Sequence, residues 1–247
     1  MEAYEQLEKE FAEWAGVENT VACSSGTAAL HLALEAFQLP PRSSIIVPEF
    51  SMIACARAAS LANMHLYPVD CLDNLLLDYS KLSTIVASVI MPVHIYGRQC
   101  SMYNILCWAK KVKALVVEDM AEAHGVSPHK DTDAACWSFY KNKIICGEEG
   151  GMISFKNPEH AKVARQLRSL GFTDKHDFLH IPRGHNYRMS NCHAKLVLSS
   201  LEQATNNIWR REQKEQVFDF YMPKECHMPS RDVCWVYDFR IPGLTSY

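Results

Sequence analysis

Short apolar runs that resemble strands alternate with helical segments along most of this chain. The strand-like runs are "SIIVPEF", "MHLYPVD", "TIVASVIMPVH", "ALVVEDM", "DAACWSFY" and "GGMISF". Helical spacing of apolar residues is found in "YEQLEKEFAEWAG", "GTAALHLALEAFQL", "SMIACARAASLAN", "SMYNILCWAKKVK" and "PEHAKVARQLRSLG". This alternation predicts an α/β domain with a mostly parallel sheet, and such sheets bind ligands at the carboxyl ends of their strands.

The last quarter of the chain follows a different pattern. The stretch "SNCHAKLVLSSLEQATNNIWRREQKEQVFDFY" predicts one long helix, and after about Tyr221 the sequence becomes proline-rich and aperiodic. We therefore expect a large domain over residues 1–200. Residues 201–247 would form a truncated C-terminal small domain, or a tail that lies on a neighbour.

Composition and charge indicate a globular protein and argue against a membrane protein. The chain has 247 residues, of which 48% are hydrophobic, so it can build a sizeable core. Its net charge of -3 does not indicate binding to nucleic acid by charge, although a local basic patch is not excluded. The apolar runs are too short for a membrane span, and the acidic, helical start does not resemble a signal peptide. The ten cysteines contain no CxxC pair, so we expect reduced thiols in a cytoplasmic protein.

Two candidate sites lie where a strand ends or a helix begins. In "CSSGTAAL", small residues and hydroxyls open a helix, which suits an anion, although Ser and Thr there are also ordinary helix caps. In "VVEDMAEAHG", Asp119 ends a buried strand, where a carboxylate needs a cation or a donor. The alternative for Asp119 is a second helix cap, and His124 is expected to be a core histidine.

The third candidate is "SFYKNKIICGEEGG", which holds Lys141 and Lys143. A lysine in an apolar pocket has a lowered pKa and becomes a nucleophilic amine, whereas most loop lysines are solvated. Local geometry does not decide between the two lysines. A phosphate on Gly26 and Thr27, a ring nitrogen on Asp119 and an aldehyde on a lysine together indicate pyridoxal 5′-phosphate (PLP).

His176 and His180 have the i, i+4 spacing that metal sites use. The surrounding segment has the composition of a loop, and the sequence offers no evident third ligand. We therefore predict no metal site.

Six stretches carry a resemblance to a known family, and they occur in its order and at its spacings over most of residues 5–215. They are "SSGTAALHLAL", "IIVPEFSMIA", "MPVHIYGR", "VVEDMAEAHG", "SFYKNKIICGEEGGM" and "GHNYRMSNCHA". The chain resembles the DegT-type sugar aminotransferases of PLP fold type I. The resemblance implies a seven-stranded, mostly parallel sheet flanked by helices, and a homodimer with active sites at the interface. It also implies glutamate as the usual donor and a nucleotide-linked keto sugar as the usual acceptor.

The resemblance assigns roles to individual residues. Backbone N–H groups of Gly26 and Thr27 and the hydroxyl of Ser138 would hold the PLP phosphate, and Asp119 would pair with the pyridine nitrogen. Lys143, five residues after Ser138, would form the Schiff base and move protons.

The remaining positions that the resemblance implies lie around the ring and across the interface. Glu122 would lie close to the ring, and Asn186 would reach the phosphate of the partner subunit. Met52 stands where relatives usually place an aromatic residue on the ring face, and Phe50 could compensate. For the donor carboxylate, Arg183 and Arg188 are nearby in sequence, but neither is assigned.

Two further departures from the family bear on the substrate. The chain is shorter than its relatives at both ends, which predicts a more open acceptor site. In "GEEGG", Glu149 takes the usual acid position and Glu148 replaces a glycine, either to meet a cationic substrate or as a surface residue.

Three hypotheses remain at this point. The leading one is a PLP-dependent aminotransferase. The second is a PLP-dependent decarboxylase or lyase that acts on a bulky substrate, such as an amino acid attached to a modified nucleotide or nucleic acid. The third is a degenerate relative with a regulatory role, which the intact Lys143, Asp119 and Ser138 disfavour.

Overall fold

A computed structural model describes residues 2–172 and 179–243, and a seven-stranded sheet forms its centre. The strands are β1 (Val21–Cys23), β2 (Ser44–Pro48), β3 (His65–Val69), β4 (Val89–Ile90), β5 (Leu115–Asp119), β6 (Ala134–Ser138) and β7 (Gly151–Phe155). Their spatial order is β1-β7-β6-β5-β4-β2-β3. Strand β7 is antiparallel to both neighbours and the other pairs are parallel, so the predicted mostly parallel sheet is confirmed.

Seven α-helices in the described part of the chain flank the sheet. They are α1 (Ala3–Ala15), α2 (Gly26–Ala36), α3 (Ile53–Leu61), α4 (Met102–Val112), α5 (Pro158–Arg168), α6 (Asn191–Glu202) and α7 (Ala204–Tyr221). Successive residues of β6 point into two separate cores, Cys136 into one and Trp137 into the other. Because strand residues alternate between faces, both faces of the sheet must be covered by helices.

Three local features differ from the sequence prediction. Of "TIVASVIMPVH", only Val89–Ile90 forms a strand, and residues Tyr79–Thr84 before it form a 3-10 turn. The three-residue edge strand β1 was not predicted, because so short a run carries no periodicity. The expected single long helix is two helices, α6 and α7, which separate at Gln203 with φ -96° and ψ 4°.

The break at Gln203 is explained by what α7 then contacts. The Asn207 side chain donates to the Ile144 carbonyl at 3.2 Å, and Arg211 donates to the Asn142 carbonyl at 3.1 Å. These contacts fasten α7 to the segment that holds Lys143. Tertiary contacts of this kind override a helical pattern that is continuous in sequence.

After α7 the chain returns over the loop of residues 94–99. The N–H groups of Asp232 and Val233 donate to the Gly97 carbonyl at 3.0 and 3.1 Å. A Cβ on Gly97 would lie 1.8 Å from the Val233 carbonyl oxygen, so only glycine allows this approach. The buried guanidinium of Arg98 binds both carboxylate oxygens of Asp238 at 2.8 Å. The returning segment is thus anchored to the sheet domain.

No helix in the described ranges is both long and apolar enough to cross a membrane.

Candidate active site

A cavity of about 400 Å³ lies where strands β5 and β6 end and helix α2 begins. This volume is in the range of small-molecule and cofactor sites. Seven of the eight site residues that the sequence predicts line it, and they come from four separate stretches of the chain. They are Gly26, Thr27, Met52, Asp119, Glu122, Ser138 and Lys143.

One end of the cavity is the first turn of α2. Ser25 caps the helix, and its Oγ accepts from the Ala28 N–H at 3.1 Å. The N–H groups of Gly26 and Thr27 belong to the first turn, where helix geometry provides no intrahelical acceptor. A Cβ on Gly26 would lie 2.7 Å from the Ser138 Cβ. Glycine therefore lets the helix start and the Ser138 hydroxyl share one small pocket that suits a phosphate.

Asp119 forms the base of the cavity and is only 5% exposed. Its Oδ1 accepts from the Ala121 N–H at 3.0 Å, and its Oδ2 accepts from the Cys55 thiol at 3.2 Å. Burial, and then the charge of Asp119, raise the pKa of the Cys55 thiol well above its ordinary value. The thiol therefore remains a donor, and it orients the carboxylate toward the cavity.

Lys143 places its amine inside the cavity, with 11% of its side chain exposed. Its Nζ lies 3.8 Å from Glu122 Oε1 and 3.8 Å from the centroid of the Trp235 ring. Burial lowers the pKa of the Lys143 amine, although the negative charges of Glu122 and Asp119 oppose this effect. Lys141 is exposed and does not line the cavity. Local geometry thus separates the two lysines that sequence spacing alone left equivalent.

Glu122 lies between Lys143 and the loop of residues 94–99. Its Oε2 accepts from the Tyr96 N–H at 2.7 Å, and Tyr96 has a positive φ of 54°. Burial raises the pKa of the Glu122 carboxyl to about 7, although the Tyr96 hydrogen bond and Lys143 oppose the rise. Near neutral pH this carboxyl exists in both protonation states beside the lysine amine.

Sequence reasoning missed Trp235, which closes the cavity over Lys143. Its indole N–H donates to the Asn142 carbonyl at 2.9 Å, and its ring stacks on Tyr96 with centroids 6.2 Å apart. The Arg211 guanidinium also donates to the Trp235 carbonyl. No local motif marks this residue, because the aperiodic segment that carries it is positioned by contacts with distant parts of the chain, among them Gly97, Arg98 and Asn142.

Met52 and Phe50 are the two residues that the sequence offers for stacking on the cofactor ring. Met52 is the N-cap residue of α3 and is 65% exposed, at the edge of the cavity. Phe50 does not line the cavity, and it meets Tyr96 edge-on with centroids 6.2 Å apart. Glu149 and Glu148 are both exposed, but only the first of these two lines the cavity. Glu148 has a positive φ of 65°, the conformation that a glycine adopts more easily.

Asn186 is the one predicted site residue that does not line the cavity. It is exposed and forms an isolated bridge with Ser169. Its loop is held on α2, since His185 Nε2 lies 2.5 Å from Glu35 Oε2. Arg183 and Arg188 are also exposed, outside the cavity.

The histidines considered as metal ligands are only partly described. His180 is described, and its Nδ1 contacts the Leu170 carbonyl at 3.0 Å. His176 lies outside the described residues. His124 is buried, and its Nδ1 accepts from the Ile145 N–H at 3.1 Å, as expected of a core histidine.

The residues that line the cavity fit PLP. The glycine-dependent pocket at the start of α2 suits a phosphate, Asp119 presents an oriented carboxylate, and Lys143 presents a buried amine. A phosphate, a protonated ring nitrogen and an aldehyde are the three groups that distinguish this cofactor.

Comparison with known proteins decides the family. The profile of the DegT/DnrJ/EryC1/StrS aminotransferase family matches residues 2–225. This chain belongs to that family. The family consists of PLP-dependent aminotransferases, so PLP as the cofactor and an enzymatic function are confirmed.

Individual relatives agree with this assignment. GDP-perosamine synthase from Caulobacter vibrioides is 34% identical, and the match covers 98% of this chain and 70% of that protein. The crystal structure of 3-amino-5-hydroxybenzoic acid synthase has a TM-score of 0.89 at 26% identity, covering 98% of this chain and 68% of the other. NtdA from Bacillus subtilis, with bound cofactor PMP, has a TM-score of 0.87 at 26% identity, covering 94% and 57%. Fold type I is therefore confirmed.

Proposed function

We propose that this family member transfers an amino group from an amino acid donor, glutamate, to a nucleotide-linked keto sugar. Several of its relatives are aminotransferases of nucleotide sugars, GDP-perosamine synthase among them. The observation that carries the proposal is the buried Lys143 amine in one cavity with Asp119, Ser138 and the start of α2. A site that offers a lysine amine, a pocket for a phosphate and a carboxylate for a cationic ring supports transfer of an amino group by PLP.

The chain's own residues would act in the following way. Bound PLP supplies an electron sink for the charge that develops when the donor loses its α-proton. Gly26, Thr27 and Ser138 hold the phosphate, and Asp119 accepts the N–H of the ring nitrogen. Because burial lowers its pKa, the Lys143 Nζ is more readily neutral and can take up and return a proton.

Glu122 and Trp235 would control the surroundings of that amine. The Glu122 carboxylate is 3.8 Å from the Lys143 Nζ, so it favours the protonated amine. The Trp235 ring covers the amine and excludes water from it. Glu122 raises the pKa of the amine and burial lowers it, so both effects set the fraction of Lys143 that is protonated.

We also propose a homodimer in which Asn186 reaches the phosphate of the other protomer. Its exposure and its position outside the cavity of its own chain support this role. We propose a cytoplasmic location, which the ten free cysteines support, because a reducing compartment keeps thiols unpaired. We further propose that residues 201–247 belong to a C-terminal small domain, since the returning segment carries Trp235 over the cavity.

The test is a half-reaction with glutamate as the only substrate. The PLP-loaded protein should release one equivalent of 2-oxoglutarate per active site and no carbon dioxide. Carbon dioxide release from an amino acid would instead identify a decarboxylase. If glutamate, aspartate and alanine all release no keto acid, the aminotransferase proposal is wrong.

A further inference from the structure

A second depression adjoins the active-site cavity and shares Lys143 and Trp235 with it. Its volume is about 630 Å³, and we call it the basic groove. It is lined by Lys141, Lys143, Ile144, Cys146, Asn207, Arg210, Arg211, Lys214, Glu215, Phe218, Cys234, Trp235, Val236 and Tyr237. The α7 residues recur at three- and four-residue intervals, so one helix face forms a wall of the groove.

The groove carries uncompensated positive charge. Across residues 2–172 and 179–243, no carboxylate oxygen lies within 4.0 Å of the cations of Lys141, Arg210, Arg211 or Lys214. Glu215, the one acidic residue among the described residues of the lining, is paired with Arg231. Arg211 donates to two carbonyl groups, which carry no net charge. The local excess of cations stands out in a chain whose net charge is -3.

Aromatic surface lies in the same groove. The rings of Phe218 and Tyr237 stack with centroids 4.9 Å apart and an interplanar angle of 26°. Phe218 is 50% exposed, so part of its surface remains open to a ligand. An aromatic platform beside clustered cations suits a planar base joined to phosphates.

We propose that the basic groove binds the nucleoside diphosphate of the acceptor, with the diphosphate on Lys141, Arg210 and Lys214 and the base against Phe218. This inference rests on the proposed function, because a nucleotide-linked sugar that reacts at Lys143 must place its diphosphate nearby. The shared border at Lys143 and Trp235 supplies that proximity. Lys141, exposed and outside the cavity, thereby acquires a role.

The test is the binding of GDP, UDP and dTDP to the PLP-loaded protein by calorimetry, with inorganic pyrophosphate as a competitor. The triple variant Lys141→Gln/Arg210→Gln/Lys214→Gln removes three groove charges and keeps Arg211, which fastens Trp235. The matched control Lys110→Gln/Lys111→Gln/Lys162→Gln removes three exposed charges outside the groove. We expect the groove variant to weaken binding of at least one nucleotide by about tenfold or more and the control to leave it unchanged. Added salt should weaken wild-type binding.

Three results would overturn the assignment. Equal weakening in both triple variants would show a general effect of net charge, and no wild-type binding at about 1 mM nucleotide would show that the groove is not a site. A single-stranded oligonucleotide that binds more tightly than the nucleotides, through the same residues, would assign the groove to nucleic acid. The wild-type glutamate half-reaction is measured separately. If that half-reaction fails, the aminotransferase proposal is rejected. The nucleotide-binding measurement then still decides whether the groove is a nucleotide site.

Discussion

The Trp235 indole covers the Lys143 amine, with the Nζ 3.8 Å from the ring centroid, although the two residues are far apart in sequence. The ring arrives on a segment that the Gly97 carbonyl and the Arg98 guanidinium hold in place. Lys143 is thus covered by the C-terminal part of its own chain. The environment of the amine depends on the C-terminal segment as well as on the sheet.

Replacing Trp235 with Ala should raise the pKa of the Lys143 amine. Burial is the leading cause of its lowered pKa, and water that enters in place of the indole solvates the ammonium. The lost cation–π contact acts in the opposite direction but is weaker than hydration. The measurement is the pH dependence of Lys143 acylation in the cofactor-free protein, read by mass spectrometry. The control is Trp209→Ala, which removes an indole that is 56% exposed on α7, and an equal midpoint in both variants would contradict the prediction.

Lys143→Ala should abolish amino transfer, whereas Lys141→Ala should retain the glutamate half-reaction. Among the residues that the structure describes, the first change removes the only lysine amine in the cavity lining, and the second removes an exposed one. Borohydride treatment of the PLP-loaded wild type should attach the cofactor to the peptide that contains residue 143. Attachment to residue 141, or equal attachment to both, would show that the wrong lysine had been assigned.

The sequence predicted most of the site because its residues lie at strand ends and helix starts. Asp119 ends a buried strand, and Gly26 opens a helix, so both positions follow from local patterns. The choice of Lys143 over Lys141 came from the family resemblance alone. The structure supports it through burial, since Lys143 lines the cavity and the exposed Lys141 does not.

Other features could not be predicted because long-range contacts decide them. Trp235 lies in a segment without periodicity, and that segment is tied to the sheet domain by long-range contacts such as the Arg98–Asp238 pair. The break between α6 and α7 at Gln203 interrupts a continuous helical pattern, and contacts of Asn207 and Arg211 select it. Sequence periodicity reports which face is apolar, not where a helix changes direction.

The titration of Glu122 should make wild-type stability fall as pH rises from about 4.5 to about 7. Its pKa in the folded protein is raised to about 7 from an ordinary value of 4.5, mainly by burial. In this window the folded state keeps a proton that the unfolded state has lost, so a higher pH favours unfolding. The pKa difference corresponds to about 3 kcal/mol over the full window.

Urea denaturation of the cofactor-free protein at several pH values measures this slope. Glu122→Gln removes the titration, so the wild-type stability minus the variant's should decline across the window and level off above it. Because Glu122 raises the pKa of Lys143, the variant should also lower the midpoint of Lys143 acylation. A pH-independent stability difference would count against the raised pKa.

Gly26→Ala should weaken PLP binding more than it weakens the fold. The new Cβ would lie 2.7 Å from the Ser138 Cβ and must push the start of α2 away from the end of β6. Overpacking of this kind costs about 1–3 kcal/mol, and here it falls on the phosphate pocket. Gly16→Ala is the matched control, since φ of 65° strains any side chain there while nothing lies within 4 Å of the added Cβ. Similar PLP affinities in the two variants would contradict the proposed pocket.

Asp238→Asn should release the C-terminal segment and expose Lys143. The change leaves the buried Arg98 guanidinium without its bidentate partner and also weakens the contact of Asp238 with Arg231. Losing one partner of a fully buried pair costs about 3–5 kcal/mol, and the cost here should be smaller because Asp238 is partly exposed. Because the pair joins the segment to the sheet domain, the loss should appear as local detachment, with faster proteolysis after Tyr221 and greater acylation of Lys143.

The matched control for this change is Asp131→Asn, which breaks the ion pair with Lys156. Both members of that pair are about half exposed, so its loss should cost about 1 kcal/mol or less. Combining Asp238→Asn with Trp235→Ala should expose Lys143 little more than either change alone, since both act by removing the same cover. Fully additive exposure, or a global loss of stability without faster cleavage after Tyr221, would mean that the Arg98–Asp238 pair does not position Trp235.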